Sequence, residues 1–376
     1  MPPAARWALG QGDALKGDCQ KQTVQGVFYW EPDLTACDHN LAARLFELVF
    51  AKQQGNDVSL WLPKLDSEAN LKSLVEIVNR NSERLGDLKL EVSSWPAAPA
   101  TKLSLTWNTK NDQSYNSKET TETTSSSQIQ ASIKNTEKWV EEKLCGLSLC
   151  PYTSSLQKAA VGLGSAGVAE GPIVIRHSAP LLVKDDDRRM NPTTAATLAH
   201  AFWQGVQELA TLPEEEVATL LILAPTKYDD NFVEFAAIFD DLLEPSIQAT
   251  GSENIVGRAL FHPTYDSKIL GHQQLLPGHA LPANMVDRFF DQYLSTMEGA
   301  KPDLESIANA NDAVRWTPHA TINLLRRSQL TAAKEVEAAS PKKKPNWIYA
   351  RNVLRILKTD SSLSSTGEKE QSEMNR

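Results

Sequence analysis

The chain has 376 residues, 41% hydrophobic and 23% charged, with 38 Lys plus Arg against 47 Asp plus Glu and a formal charge of -9. At ~150 residues per domain this length predicts two or three domains and enough chain for a sizeable core. No apolar run reaches the ~18 residues of a membrane helix, Gly and Pro keep no short period, and the four cysteines are too sparse for a disulfide scaffold; the acidic balance argues against a mainly nucleic-acid-binding protein.

The opening MPPAARWALGQGD lacks the charged start and apolar stretch of a secretory signal. Together with the sparse cysteines this predicts an intracellular protein, in the cytoplasm or an organelle matrix such as plastid or mitochondrion.

TVQGVFYW reads as a buried strand, NLAARLFELVFAKQ as a helix with Asn40 as its cap, DVSLWLP as a second strand, LDSEANLKSLVEIVNRNSERLG as a second helix and LKLEVSSW as a third strand. Strand and helix alternate, which predicts an N-terminal α/β domain over 1–95 with helices packed on a mainly parallel or mixed sheet. No Gly-rich loop follows the first strand, so a nest of backbone donors for a nucleotide phosphate is not expected. Residues 96–132, including NTKNDQSYNSKETTETTSSSQ, are polar with little to bury and read as a flexible linker.

A second α/β domain is predicted over 133–355. A helix with Trp139, Val140, Leu144 and Leu147 on one stripe meets Gly146 and Pro151 near two cysteines. GPIVIRHS is a strand, and NPTTAATLAHAFWQGVQELATL a helix with Asn191 and Pro192 at its start. ATLLILAPT is a buried strand, DNFVEFAAIFDDLLEPSIQA an amphipathic helix, and NIVGRALFHPTY a strand. Residues 266–310 read as an irregular insertion, VRWTPHATINLLRRSQLTAAKEVEAA as a helix entered through Thr317 and Pro318, and 356–376 as a disordered tail.

WVEEKLCGLSLCPY, FVEFAAIFDDLL, ALFHPTY and VRWTPHATINLLRR, taken in order, resemble the bacterial and plant domain-of-unknown-function family 1415 over about 134–336. The matching positions are Trp139, Gly146, Leu149, Cys150 and Pro151; Phe235 and Asp240; Phe261, His262 and Pro263; and Arg315, Pro318, Asn323, Leu324, Leu325 and Arg326. The resemblance implies a domain extent and no activity. Where the family carries a histidine before its closing LLR this chain has Asn323, with His319 nearby as a substitute from another face.

Several residues carry candidate chemistry, each beside a plainer role. Cys150 before Pro151 is either a nucleophilic or metal-binding thiol or a packed small hydrophobe, and Cys145 is not at redox CxxC spacing. His262 at a strand's carboxyl end is placed for a Cys150–His262 catalytic pair, or for holding the turn. Arg315 and Arg326, at helical spacing, are candidates for an anion clamp, as are Arg176 and His177 beyond the PIVI strand; surface or structural roles compete. His262, His272 and His279 lack metal-site spacing, and Asp240, Asp241 and Glu244, whose three-to-four residue spacing can place two carboxylates together, equally read as a solvated helix face, so no metal is expected and no cofactor is assigned. Lys342, Lys343 and Lys344 before Trp347 form a basic patch, either a solvated loop or the one place where RNA, anionic lipid or an acidic partner would be met. Two functions follow: a noncatalytic interaction or assembly factor with protein partners, favoured because no nucleophile, base and orienting acid can be named together; or an enzyme acting on an anionic small molecule through Cys150, His262 and the arginines.

Overall fold

The computed structural model describes residues 27–30, 38–53, 58–63, 68–94, 100–107, 126–178, 194–269, 283–293, 301–339 and 347–360. The fold is α/β, with helices packed on two mixed four-stranded sheets. In the first, β1 (Val27–Trp30), α1 (Asp38–Gln53), β2 (Val58–Pro63), α2 (Glu68–Arg80), β3 (Leu88–Ser94) and β4 (Ala100–Trp107) follow one another along the chain. The strands lie in the order β1-β2-β4-β3, with β1 parallel to β2 and β4 antiparallel to both neighbours. Helix α3 (Ser126–Trp139), a π-helical turn (Val140–Cys145) and the small hairpin β5 (Thr153–Ser155) and β6 (Lys158–Ala159) come next.

The second sheet is built from β7 (Ile173–His177), α4 (Ala195–Thr211), β8 (Thr219–Leu223), α5 (Phe232–Ile238) continuing through a π-helical turn (Phe239–Leu243) into α6 (Glu244–Ala249), β9 (Val256–Phe261) and β10 (Thr321–Arg326). Its order is β7-β8-β10-β9; β7 is parallel to β8, and β10 runs antiparallel to β8 and β9.

Side-chain alternation decides what each face of this sheet meets. Leu220, Ile222, Ile322 and Leu324 pack under α4, whereas Leu221 and Ile173 share a separate cluster with Val140, Trp139 and Leu144. A strand buried on both faces, such as TLLIL, is therefore apolar at every position after Thr219. Helix α4 sits close on the sheet because Gly205 has no side chain there: a Cβ would lie 2.4 Å from Leu220 and 3.0 Å from Leu324. Thr194 starts the helix, its Oγ1 accepting from the Thr197 N–H in a reciprocal capping box.

The apolar faces of α1 and α4 meet, and one core runs from the first unit into the second. Phe46 stacks on Trp203 at 6.3 Å and Phe50 on His200 at 4.8 Å. The Gln207 amide donates to Asn40 Oδ1 at 3.0 Å, so Asn40 bridges units rather than capping its helix. A second link lies at the carbonyl of Asp241, four residues before Pro245, which has no N–H to offer a helical acceptor. The Asn81 amide donates to that oxygen at 2.9 Å, and Arg84 pairs with the Asp241 carboxylate at 2.7 Å.

This interface carries an acid sensitivity. Burial, reinforced by Arg44, lowers the pKa of His200 from 6.5 to about 4. The unfolded chain thus binds a proton that the folded one refuses between those values. The neutral ring's contribution is complete above pH 6.5 and is lost as pH falls toward 4, about 3 kcal/mol in all. Denaturant melts at pH 7 and pH 4.5 are expected to show the loss, and His200→Phe to flatten it.

A satellite core, with Phe290, Ile307 and Val353 at its centre, joins α7 (Ala283–Tyr293), α8 (Leu304–Ala313) and α10 (Trp347–Thr359); α9 (Arg327–Ala339) lies against β9 and β10. The α10 side chains Asn352 and Arg355 donate to the carbonyls of Leu149 and Ser148, tying it to the loop around Cys150.

Four expectations are corrected. The stretch 96–132 is not all linker: β4 occupies an inner position of the first sheet, and α3 begins at Ser126. Residues expected to enter a helix at Thr317 and Pro318 instead lead into β10, where Ile322 and Leu324 alternate with Thr321, Asn323 and Leu325, and the helix starts only at Arg327. The tail does not begin at 356, since α10 continues to Thr359 with Ile356 buried. The start of α4 is Thr194, not Asn191. The 342–344 patch, His272 and His279 lie outside the described residues.

Candidate functional site

Because β7 and β8 are parallel, their carboxyl ends lie at one edge of the second sheet, together with the end of β9 and, because it runs the other way, the start of β10. This is the edge at which open α/β sheets ordinarily hold ligands. It carries Tyr228, Asp229, His262, Tyr265, Arg315 and His319.

The loop after β8 turns at Thr226, whose φ of +68° is a left-handed conformation that a β-branched residue rarely adopts. That turn directs the Thr226 N–H at Asp229 Oδ2, 3.1 Å away, while the Ala320 N–H donates to Oδ1 at 2.7 Å. The remaining partner of Asp229 is His319: Nδ1 lies 2.8 Å from Oδ2. An ionised carboxylate only accepts, so Nδ1 carries the hydrogen and Nε2 of the neutral ring is left as an acceptor. That Nε2 is buried and has no partner among the described residues.

His262, fully buried at the same edge, is arranged the opposite way. Nε2 is 2.6 Å from the Tyr228 carbonyl and must donate to it; Nδ1 accepts from the Thr264 N–H at 3.0 Å. Both nitrogens are engaged, and burial lowers the ring's pKa. The backbone N–H of His262 further donates to the Arg315 carbonyl at 3.1 Å. His262 is held as a tie between loops, which is the turn-holding alternative to a catalytic base.

Cys150 is likewise tied into its own loop. Its Sγ accepts from Thr153 Oγ1 at 3.4 Å, and burial pushes the thiol up, with hydrogen bonds from Thr153 and Tyr152 opposing more weakly. Burial also raises Cys145, with Cys150 and Glu141 adding to it. A reactive thiol needs the reverse shift. Cys150 and His262 form no hydrogen bond with each other, so the expected pair is not assembled.

The arginine clamp is not assembled either. Arg315 and Arg326 lie toward opposite ends of β10, a strand roughly 17 Å long at ~3.3 Å per residue. Arg326 is buried and spends its fork on carbonyls: Leu209 at 2.6 Å, Leu212 at 2.7 Å, Pro213 at 3.2 Å and Val217 at 2.7 and 3.0 Å. It closes the carboxyl end of α4, where helix carbonyls lack donors. Arg315, 1% exposed, donates from Nη1 to Tyr265 Oη at 3.0 Å, with its guanidinium 5.0 Å from the centre of the same ring. Nearby Asp312 accepts from the N–H and hydroxyl of Ser267, both at 3.1 Å; burial raises its pKa, and Arg315 is among the groups that lower it. Arg176 is an exposed partner of Glu208 at 2.9 Å, and His177 ends β7. Asn323 is buried on β10 between Leu221 and Ala259, its Oδ1 without a partner among the described residues.

Of the expected site residues, the structure thus brings His262 and Arg315 together through backbone and holds Arg326 at the far end of β10. Asp229 was missed. Its signal was a short polar TKYDDN loop directly after the buried strand TLLIL. Among the described residues no group of three or more His, Cys, Asp or Glu is placed to hold a metal ion, and no helix is long and apolar enough to cross a membrane. No family model, curated protein or solved structure matches the chain.

Proposed function

We propose that this protein binds a small molecule at the carboxyl edge of its second sheet and moves a proton there, with His319 as the acceptor and Asp229 as its orienting carboxylate. One observation carries the reading: at this edge the fully buried His262 has both nitrogens engaged, whereas half-buried His319 has Nδ1 fixed and a buried Nε2 with no partner among the described residues. A purely structural imidazole gains by pairing both nitrogens, since an unpaired buried acceptor costs about 1–3 kcal/mol. A proton from a ligand O–H or N–H would pass to Nε2, and the carboxylate would stabilise the resulting imidazolium. The left-handed Thr226 supports the reading, because backbone strain collects at functional sites.

A noncatalytic interaction or assembly role is the second reading, supported by exposed apolar side chains near the same edge: Val233 at 59%, Ile269 at 48% and Trp316 at 37%. The motif order over 134–336 supports kinship with domain-of-unknown-function family 1415, and the free thiols of Cys145 and Cys150 support a reducing, intracellular compartment.

The experiment is a thermal-shift screen of wild type and His319→Gln against hydroxylated, carboxylated and phosphorylated metabolites. A ligand at ~100-fold its Kd stabilises by about 2.7 kcal/mol. At least one compound is expected to raise the wild-type melting temperature by several degrees and to lose that effect in His319→Gln, and partly in Asp229→Asn. Compounds that stabilise all three proteins equally, or none that stabilises any, would overturn the proton-handling reading.

A further inference from the structure

The two sheets repeat one another. Each is a βαβαββ unit with its first two strands parallel, its last strand inserted between the second and third, and the same spatial order. The second unit differs by the segment between β9 and β10, which holds α7 and α8. Equivalent helices also face each other: α1 lies against α4, and α2 against α6.

The register inside the first pair is that of a two-fold axis. Aligning α1 with α4 so that Leu41 meets Leu198 also matches Phe46 with Trp203 and Val49 with Val206. Phe46 and Trp203, equivalent under that alignment, stack on each other with planes 5° apart. In an isologous contact a residue on the axis meets its own mate, and any other contact recurs with the partners exchanged. Phe50 on His200 should therefore recur as Gln207 near Ala43, and Gln207 bonds to Asn40, one turn from Ala43.

We propose that the α4 face is a self-pairing surface produced by internal duplication, and that the first unit occupies in cis the place of a second copy of the second unit. The inference stands on residues other than Asp229 and His319, so it neither needs nor tests the acid–base reading.

The test starts from the full chain carrying a sequence-specific protease site in the polar stretch 108–125. Cut after folding, the two pieces are expected to elute together at the size of the intact 41.4 kDa chain. With Phe46→Asp in α1 the cut pieces are expected to separate, and the larger one to run at twice its own mass with its circular dichroism kept. Adding Val206→Arg in α4 is expected to return that dimer to monomer. Pieces that part on cutting the otherwise unaltered chain, pieces that stay together despite Phe46→Asp, a larger piece that is monomeric or has lost its sheet signal, or a dimer indifferent to Val206→Arg would each overturn the proposal.

Discussion

Arg326→Met is expected to destabilise the protein by about 4 kcal/mol or more in urea melts, because charged hydrogen bonds count ~1.5–3 kcal/mol each and abandoned buried carbonyls cost ~1–3. The guanidinium serves four carbonyls at once, those of Leu209, Leu212, Pro213 and Val217. Methionine fills the stem's volume and supplies no donor, so the end of α4 and the loop leading into β8 would lose their common partner. Arg326→Lys is expected to recover only part of the loss, since a point charge with three donors cannot reproduce the planar fork. If this residue were an anion clamp with spare donors, the methionine variant would cost under about 1 kcal/mol.

Trp203→Ala is expected to cost about 3–5 kcal/mol, the range for emptying a buried tryptophan site. The ring is fully buried between Phe46 of one unit and Phe202 of its own helix, with centroids at 6.3 and 5.7 Å. Trp203→Phe is expected to cost much less, because it keeps an aromatic partner for Phe46 and removes an indole N–H that has no acceptor among the described residues. Since the site belongs to the core shared by both units, the alanine variant is expected to lower the melting of the whole body in one transition.

Much of this architecture is legible in local patterns. TLLIL and PIVI are short apolar runs between turn signals, and the α1 and α4 segments hold their apolar residues at helical spacing. Two errors have a common origin in short segments. ATKLSLTW alternates polar and apolar residues but is enclosed by low-complexity sequence, and ATINLL has four apolar side chains in six positions, which fits a helix or a strand until its neighbours are known. β10 is a strand because β8 and β9 each offer it a free edge; a tertiary fact decided a local one.

The site was less legible than the fold. Cys150, His262 and Arg326 are chemically conspicuous, and each is consumed by a structural bond that joins distant parts of the chain, as in the 109 residues between Arg326 and Val217. Asp229 sits in an ordinary polar loop, and its partner His319 is 90 residues away. The repeated topology is hidden in the sequence for a similar reason: the α1 and α4 segments share few identities, while the sheets they pack on have the same strand order.

The acid–base arrangement at His319 is tested most directly by nitrogen-15 NMR of the imidazole rings in the folded protein at neutral pH, with Asp229→Asn and His319→Gln to assign the signals. The neutral His319 ring is expected to carry its hydrogen on Nδ1, in a hydrogen bond that disappears or weakens in Asp229→Asn, while Nε2 shows the shift of an unprotonated acceptor. A His319 ring protonated on Nε2, or one whose spectrum is unchanged by Asp229→Asn, would contradict it.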